Sequence, residues 1–197
     1  MTQDALKINL PESDIIYYPN FLSSENATQL MNILQTTIAW QQDNITVFGK
    51  TYPQPRLTAL YGNNMQPYSY SDITMYPLPF TKELNEVKTT IESLISPTVF
   101  TSCLLNLYRD GKDSNGWHAD DEASLGKNPV IASVSLGQER FFNFKHKKDK
   151  SLKHKMLLTH GSLLIMKGST QHNWLHQIPK TSRKIGERIN LTFRVIL

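Results

Sequence analysis

The chain has 197 residues, 39% hydrophobic and 19% charged, with a formal charge of +4, a balance that fits one globular domain able to bury a core without disulfide staples. No run of about 18 apolar residues exists to span a membrane, Met1 to Glu12 lacks the basic-then-apolar pattern of a signal peptide, and the single Cys103 forms no internal disulfide. A pI near 9.1 fits an anionic partner such as nucleic acid as well as it fits plain solubility, and the lone cysteine fits a reducing compartment: cytoplasmic or nuclear, cytoplasmic in a bacterium.

Ser23 or Ser24 can cap a helix over about 24–37, where Ala27, Leu30, Met31 and Leu34 follow helical spacing. A second helix is predicted over about 80–95, with Leu84, Val87, Ile91 and Leu94 as its apolar stripe and Pro77 and Pro79 blocking an earlier start. Between them, Ile45 to Pro79 is rich in Gly, Pro, Asn and aromatics and reads as loop. Its Tyr61, Tyr68, Tyr70 and Tyr76, interleaved with Lys50 and Arg56, suit base stacking and phosphate contact, or simple packing over the core. From Val99 onward short runs alternate with turn signals: Val99–Tyr108, Val130–Leu136, Arg140–Phe144, Met156–Thr159, Ser162–Met166, Trp174–Ile178 and Arg188–Ile196. Two helices followed by many short strands predict an α+β chain, mostly β, as a sandwich or jelly roll. Lys145 to Lys155 reads as a basic loop between two strands, either a solvated face or a phosphate contact, with His146 and His154 solvated.

Chemistry concentrates further on. His118 and Asp120 lie two residues apart, so an extended backbone points both to one side and offers two ligands to one ion. A further histidine would complete a two-His-one-carboxylate set, which leaves open positions and suits non-haem Fe(II) that activates oxygen. His160, before Gly161, reads as a turn residue, and spacing does not choose between His172 and His176. In the last strand Arg188, Asn190, Thr192 and Arg194 share one face, and Ile189, Leu191, Phe193 and Val195 the other. That polar face is a solvated surface or the wall of a cavity for a dianion, since guanidinium binds carboxylate with two parallel bonds. Asn106 and Tyr108 share a face of an earlier strand and could meet the same anion.

Asn106-x-Tyr108, then His118-x-Asp120, then His176 before Gln177-Ile178-Pro179, then Arg188-x-Asn190-x-Thr192-Phe193-Arg194 occur in an order that resembles the AlkB family of Fe(II)- and 2-oxoglutarate-dependent dioxygenases. The likeness runs from Val47 to Leu197 and is similar to the nucleic-acid-repair branch, nearest to members that prefer duplex DNA. It implies His176, and not His172, as the third metal ligand. The fold it implies is a double-stranded β-helix (jelly roll), with residues 1–98 as N-terminal helices and a nucleotide-recognition lid and 99–197 as the core of a single domain. It implies Fe(II), 2-oxoglutarate and O2, with Arg188 and Tyr108 on the distal carboxylate, Arg194 near the metal end, and Asn106 and Asn190 adding hydrogen bonds. The implied activity is oxidative demethylation of 1-methyladenine and 3-methylcytosine in DNA, releasing formaldehyde, succinate and CO2 from a flipped-out base. The alternatives are the same chemistry on RNA or single strands, or a non-catalytic nucleic-acid-binding module. Substrate contacts implied are Phe48 as a finger filling the vacated stack, Tyr70 and Tyr68 against the base, Asp121 and Glu122 toward its exocyclic amine or charge, and Arg56 and Lys50 toward phosphate. The enzyme is expected to be a monomer. Trp117 and Ala119, and Thr51-Tyr52 after the finger, depart from the family's pattern.

Overall fold

In the computed structural model, which describes residues 4–47, 49–70 and 73–197, two strands precede the first helix: β1 (Leu6–Ile8) and β2 (Asp14–Tyr18). Helix α1 (Ser24–Thr37) starts where Ser23 accepts the Asn26 N–H at 3.2 Å, which satisfies one of the donors a helix start leaves free. The predicted loop Ile45–Pro79 is instead largely strand. It holds the hairpin β3 (Asn44–Val47) and β4 (Lys50–Pro53), then β5 (Leu57–Gly62), the hairpin β6 (Tyr68–Tyr70) and β7 (Ile73–Met75), and β8 (Leu78–Pro79). Thr81 caps α2 (Lys82–Leu94) by accepting the Leu84 N–H at 3.3 Å. The jelly-roll strands follow: β9 (Ser102–Tyr108), β10 (Asn115–His118), β11 (Ile131–Gly137), β12 (Arg140–His146), β13 (Lys153–Leu158) and β14 (Ser162–Lys167). A short helix α3 (Thr170–Asn173) leads into β15 (Trp174–Ile178), and β16 (Arg188–Arg194) is last.

The major sheet runs β1-β2-β14-β11-β16-β9-β5-β8 and the minor sheet β10-β15-β12-β13. They face one another without closing, in the double-stranded β-helix arrangement. Phe144, Trp174 and Ile178 of the minor sheet pack against Ile15, Leu164 and Met166 of the major one. On the major sheet's other side Leu34, Leu84 and Ile91 of the helices cover Leu105, Leu163 and Phe193. Strands from both sides of residues 98/99 share the major sheet, where β1, β2, β5 and β8 lie beside β9, β11, β14 and β16. The short Asp14–Tyr18 and the doubly covered Leu57–Gly62 carry no clean polar–apolar alternation, so period-two reading misses them.

Both faces of β16 are buried, one under the helices and one between the sheets. Its polar face therefore has to be satisfied inside the protein or by a bound anion. The basic stretch is a hairpin turn between β12 and β13, and His146, expected in solvent, is 4% exposed. Its Nε2 meets Glu12 at 3.0 Å and its ring packs edge-on against Trp174.

Gly137 ends β11 at φ +83°. A Cβ there would lie 2.5 Å from the Glu187 carbonyl oxygen and 2.6 Å from Met31 Sδ. Gly137→Ala is expected to lower stability by about 2–3 kcal/mol through strained backbone and a main-chain clash. Urea unfolding with an unchanged slope against denaturant checks this.

Candidate active site

β10 and β15 pair so that His118 stands opposite His176, next to an irregular register between Asn115 and His118. Asp120 follows on the segment leaving β10. The ligand atoms of His118, Asp120 and His176 lie within 4.8 Å of one another. His118 Nδ1 is 2.7 Å from the Gly116 carbonyl oxygen, a contact that needs its proton on Nδ1 and makes Nε2 the acceptor, which takes a hydrogen bond from Asn115 Nδ2 at 3.2 Å and would turn to a bound metal instead. The His176 ring stacks on Phe142 at 5.1 Å. Burial, then the neighbouring His118, pushes the His176 pKa down to about 3, and burial also lowers that of His118. Both imidazoles are thus neutral, the form that ligates.

Asp120 is 3% exposed, and burial alone would raise its pKa. Arg194 and the two imidazoles outweigh that and hold it at about 2. Arg194 Nη2 donates to Asp120 Oδ1 at 2.6 Å, and Gln171 Oε1 accepts the Asp120 N–H at 2.9 Å. Two nitrogens and an ionised carboxylate, prepared on one side of a cavity, fit ferrous iron. His172, which spacing left open, accepts the Asn128 N–H at 3.3 Å from α3 and takes no part in the cluster.

The cavity behind the cluster is walled by Asn106, Tyr108, Asn190, Arg188 and Arg194, together with the ligands. Arg188 is 1% exposed, and only Nη2 is bonded, to Ser135 Oγ at 2.9 Å. Its Nε and Nη1 have no hydrogen-bond partner. Burial pulls its pKa down to about 10, opposed by Tyr108, whose ring lies 5.1 Å away. A buried guanidinium with two idle N–H groups calls for an anion, and the far carboxylate of 2-oxoglutarate fits. Asn190 was expected to add a hydrogen bond to the cosubstrate. Its Nδ2 is committed to Ser133 Oγ and the Val134 carbonyl, and its Oδ1 accepts from Thr192, so it braces the wall. Ser133, Ser135 and Gln171 escaped the sequence reading, although Ser133 and Ser135 stand two apart in an otherwise apolar run and so share a face.

In front of the cluster opens a cleft of about 400 Å³ that Arg56, Tyr68 and Glu122 line with His118 and Asp120. Tyr68 donates to Glu122 Oε1 at 2.9 Å, while Glu122 Oε2 is buried without a hydrogen-bond partner. Arg56 was expected to reach phosphate. It is 6% exposed and donates to Asn106 Oδ1 at 2.7 Å and to the Ser114 carbonyl at 3.1 Å. Asp121 turns away from the cleft to pair with Lys147 at 2.7 Å. Lys50 is exposed at the β3–β4 tip, beside Gly49 at φ +74°. Phe48 lies outside the described residues, and only the backbone of Tyr70 is described. Among the described residues no helix is long and apolar enough to cross a membrane.

The chain matches the 2OG-Fe(II) oxygenase superfamily over residues 14–194. It is 43% identical to the alpha-ketoglutarate-dependent dioxygenase alkB homolog 3 of Mus musculus, over 93% of this chain and 66% of that protein. It is 38% identical to the DNA oxidative demethylase ALKBH2 of Arabidopsis thaliana, over 94% of this chain and 67% of that protein. The chain thus spans about two thirds of the length of these curated relatives. The solved structure of OsALKBH1 superposes with a TM-score of 0.68 at 20% identity, covering 95% of this chain and all of that one, which supports the fold. A superfamily match that takes in β2 through β16, joined to identities of 43% and 38% with two alkB homologues, places this chain in the AlkB family of 2OG-Fe(II) oxygenases.

Proposed function

We propose that the protein is an Fe(II)- and 2-oxoglutarate-dependent dioxygenase that removes methyl groups from the ring nitrogens of DNA bases, 1-methyladenine and 3-methylcytosine being the substrates its site suits. The observation that carries this reading is the His118–Asp120–His176 cluster set between a cavity ending in the idle N–H groups of Arg188 and an open cleft. The names of the two relatives, a dioxygenase and a DNA oxidative demethylase, support it.

Bound ferrous iron, with 2-oxoglutarate and O2, would supply the oxidation of the N-methyl carbon, releasing formaldehyde, succinate and CO2. His118, Asp120 and His176 would hold the iron. Arg194 keeps Asp120 ionised and in place, and Gln171 fixes its backbone. Arg188, with its unpartnered Nε and Nη1, would hold the far carboxylate of the cosubstrate and so help to position it. The sheets exclude water from that contact and so strengthen it. In the cleft, Tyr68 donates to Glu122 and leaves Oε2 as acceptor for the exocyclic amine of a flipped-out base. Methylated adenine and cytosine are cationic, so a carboxylate acceptor favours them over the unmodified bases. Phe48, at the β3–β4 tip in sequence, and Tyr70 stay assigned by family likeness to the vacated stack and the flipped base. Lys50 stays assigned to phosphate.

The test is turnover of 2-oxoglutarate with oligonucleotides carrying 1-methyladenine, as duplex, single strand and RNA. Formaldehyde and succinate in equal amounts with DNA are expected. Succinate without formaldehyde on every methylated nucleic acid would remove the substrate assignment, and the three arms decide between DNA and RNA.

A further inference from the structure

Arg56 touches both working spaces of the site. Its side chain lines the cleft, and its Nε donates at 2.7 Å to Oδ1 of Asn106, which lines the cosubstrate cavity. Both residues are buried, at 6% and 4% exposure. The bond fixes which way the Asn106 amide faces. With Oδ1 taken by Arg56, Nδ2 is the donor left for the cavity. Arg56 also holds the Ser114 carbonyl at 3.1 Å, on the segment that leads into β10 and the metal ligand His118. One guanidinium therefore braces the cleft wall, a cosubstrate-side amide and the approach to the metal.

We propose that the Arg56–Asn106 pair couples nucleic-acid binding in the cleft to cosubstrate binding in the cavity. The two-state element is the Asn106 amide. Held by Arg56, it presents a donor to the cosubstrate; released, it loses that preference. A base seated in the cleft confines Arg56 to the bonded position and so favours cosubstrate binding. Reciprocity then requires the cosubstrate to tighten nucleic-acid binding by the same factor. This rests on the nucleic-acid reading of the cleft given above.

The experiment loads the full chain with Mn(II), which does not turn over, and measures anisotropy of a labelled 1-methyladenine oligonucleotide with and without N-oxalylglycine, an unreactive analogue of the cosubstrate. In the wild type the analogue is expected to tighten oligonucleotide binding about 5–10-fold, within the usual range of such couplings. In Arg56→Met the factor drops below about twofold. Asn106→Leu, which removes the acceptor, loses the factor to the same extent, and the double variant loses no more. Arg56→Lys serves if the methionine variant does not fold, since it keeps the charge but cannot hold Asn106 and Ser114 together. A wild-type factor of one, or a full factor in the variants, overturns the coupling while leaving the cleft's function intact. Absence of oligonucleotide binding in every form removes the nucleic-acid reading itself.

Discussion

Asp120→Ala is expected to abolish metal binding and turnover, by roughly 10³-fold or more, and to destabilise the metal-free protein by about 3–5 kcal/mol. The two losses have separate causes. Turnover falls because two imidazoles alone do not hold ferrous iron in the required set. Stability falls because Arg194, buried at 5% exposure, loses the carboxylate that it contacts at 2.6 Å. Its Nε already lacks a hydrogen-bond partner, so the charge would keep only the weaker pull of Glu122 and the Tyr68 ring at 5.3 Å. The second variant follows from this: Asp120→Ala with Arg194→Met should recover most of the stability and none of the metal binding. Calorimetric metal titration and urea unfolding read the two effects independently. If the double variant is no more stable than the single one, the ion pair is not what holds this end of β16. If Asp120→Ala binds metal at wild-type affinity, the cluster is not the metal site.

How much of this was legible in the sequence differs by element. Helix α1 was predicted over its observed span, because a capping serine precedes a helical stripe whose period survives in the fold. Seven of the eight later strands were found for a similar reason, as short apolar runs set off by turn residues, and β10, which is neither apolar nor regular in register, was not. The strands before Thr81 were not. β5 is covered on both faces, and a strand without a solvent face has no alternation to read. The metal ligands were half legible. Period two gives His118 and Asp120, but the third ligand reaches them through sheet pairing between β10 and β15, which no local pattern encodes. Likeness to a family chose His176 where spacing could not. The burial of Arg56 was not legible for a related reason. An arginine in a polar, aromatic segment looks exposed, and only the β5–β9 pairing that sets Thr58 opposite Asn106 brings it inside. Asp121 shows the converse: adjacent acids in sequence point to opposite partners, Asp120 to Arg194 and Asp121 to Lys147.

Arg188→Met should raise the 2-oxoglutarate concentration needed for half-maximal rate by about 10²–10³-fold, with the rate at saturation changed only a few-fold. The guanidinium is far from the reacting carbon and binds cosubstrate alike before and during the reaction, so its loss weakens binding more than it slows chemistry. The metal-free variant should not be destabilised by the change. Arg188 makes one hydrogen bond, to Ser135, and keeps two N–H groups buried without partners. Burial draws its pKa from 12.5 to about 10, which means that the folded protein disfavours the charge. Removing that charge is worth up to about 3 kcal/mol at neutral pH, less what the methionine loses in packing. The advantage of the variant is complete below pH 10 and narrows above it, where the folded wild type sheds a proton that the unfolded chain still keeps. Saturating N-oxalylglycine with metal should reverse the ranking, since the anion then satisfies the wild-type guanidinium and finds no partner in the variant. Thermal unfolding with and without the analogue measures that reversal. A variant less stable in both conditions, with an unchanged 2-oxoglutarate requirement, would assign Arg188 to the fold and leave the cosubstrate carboxylate without its partner.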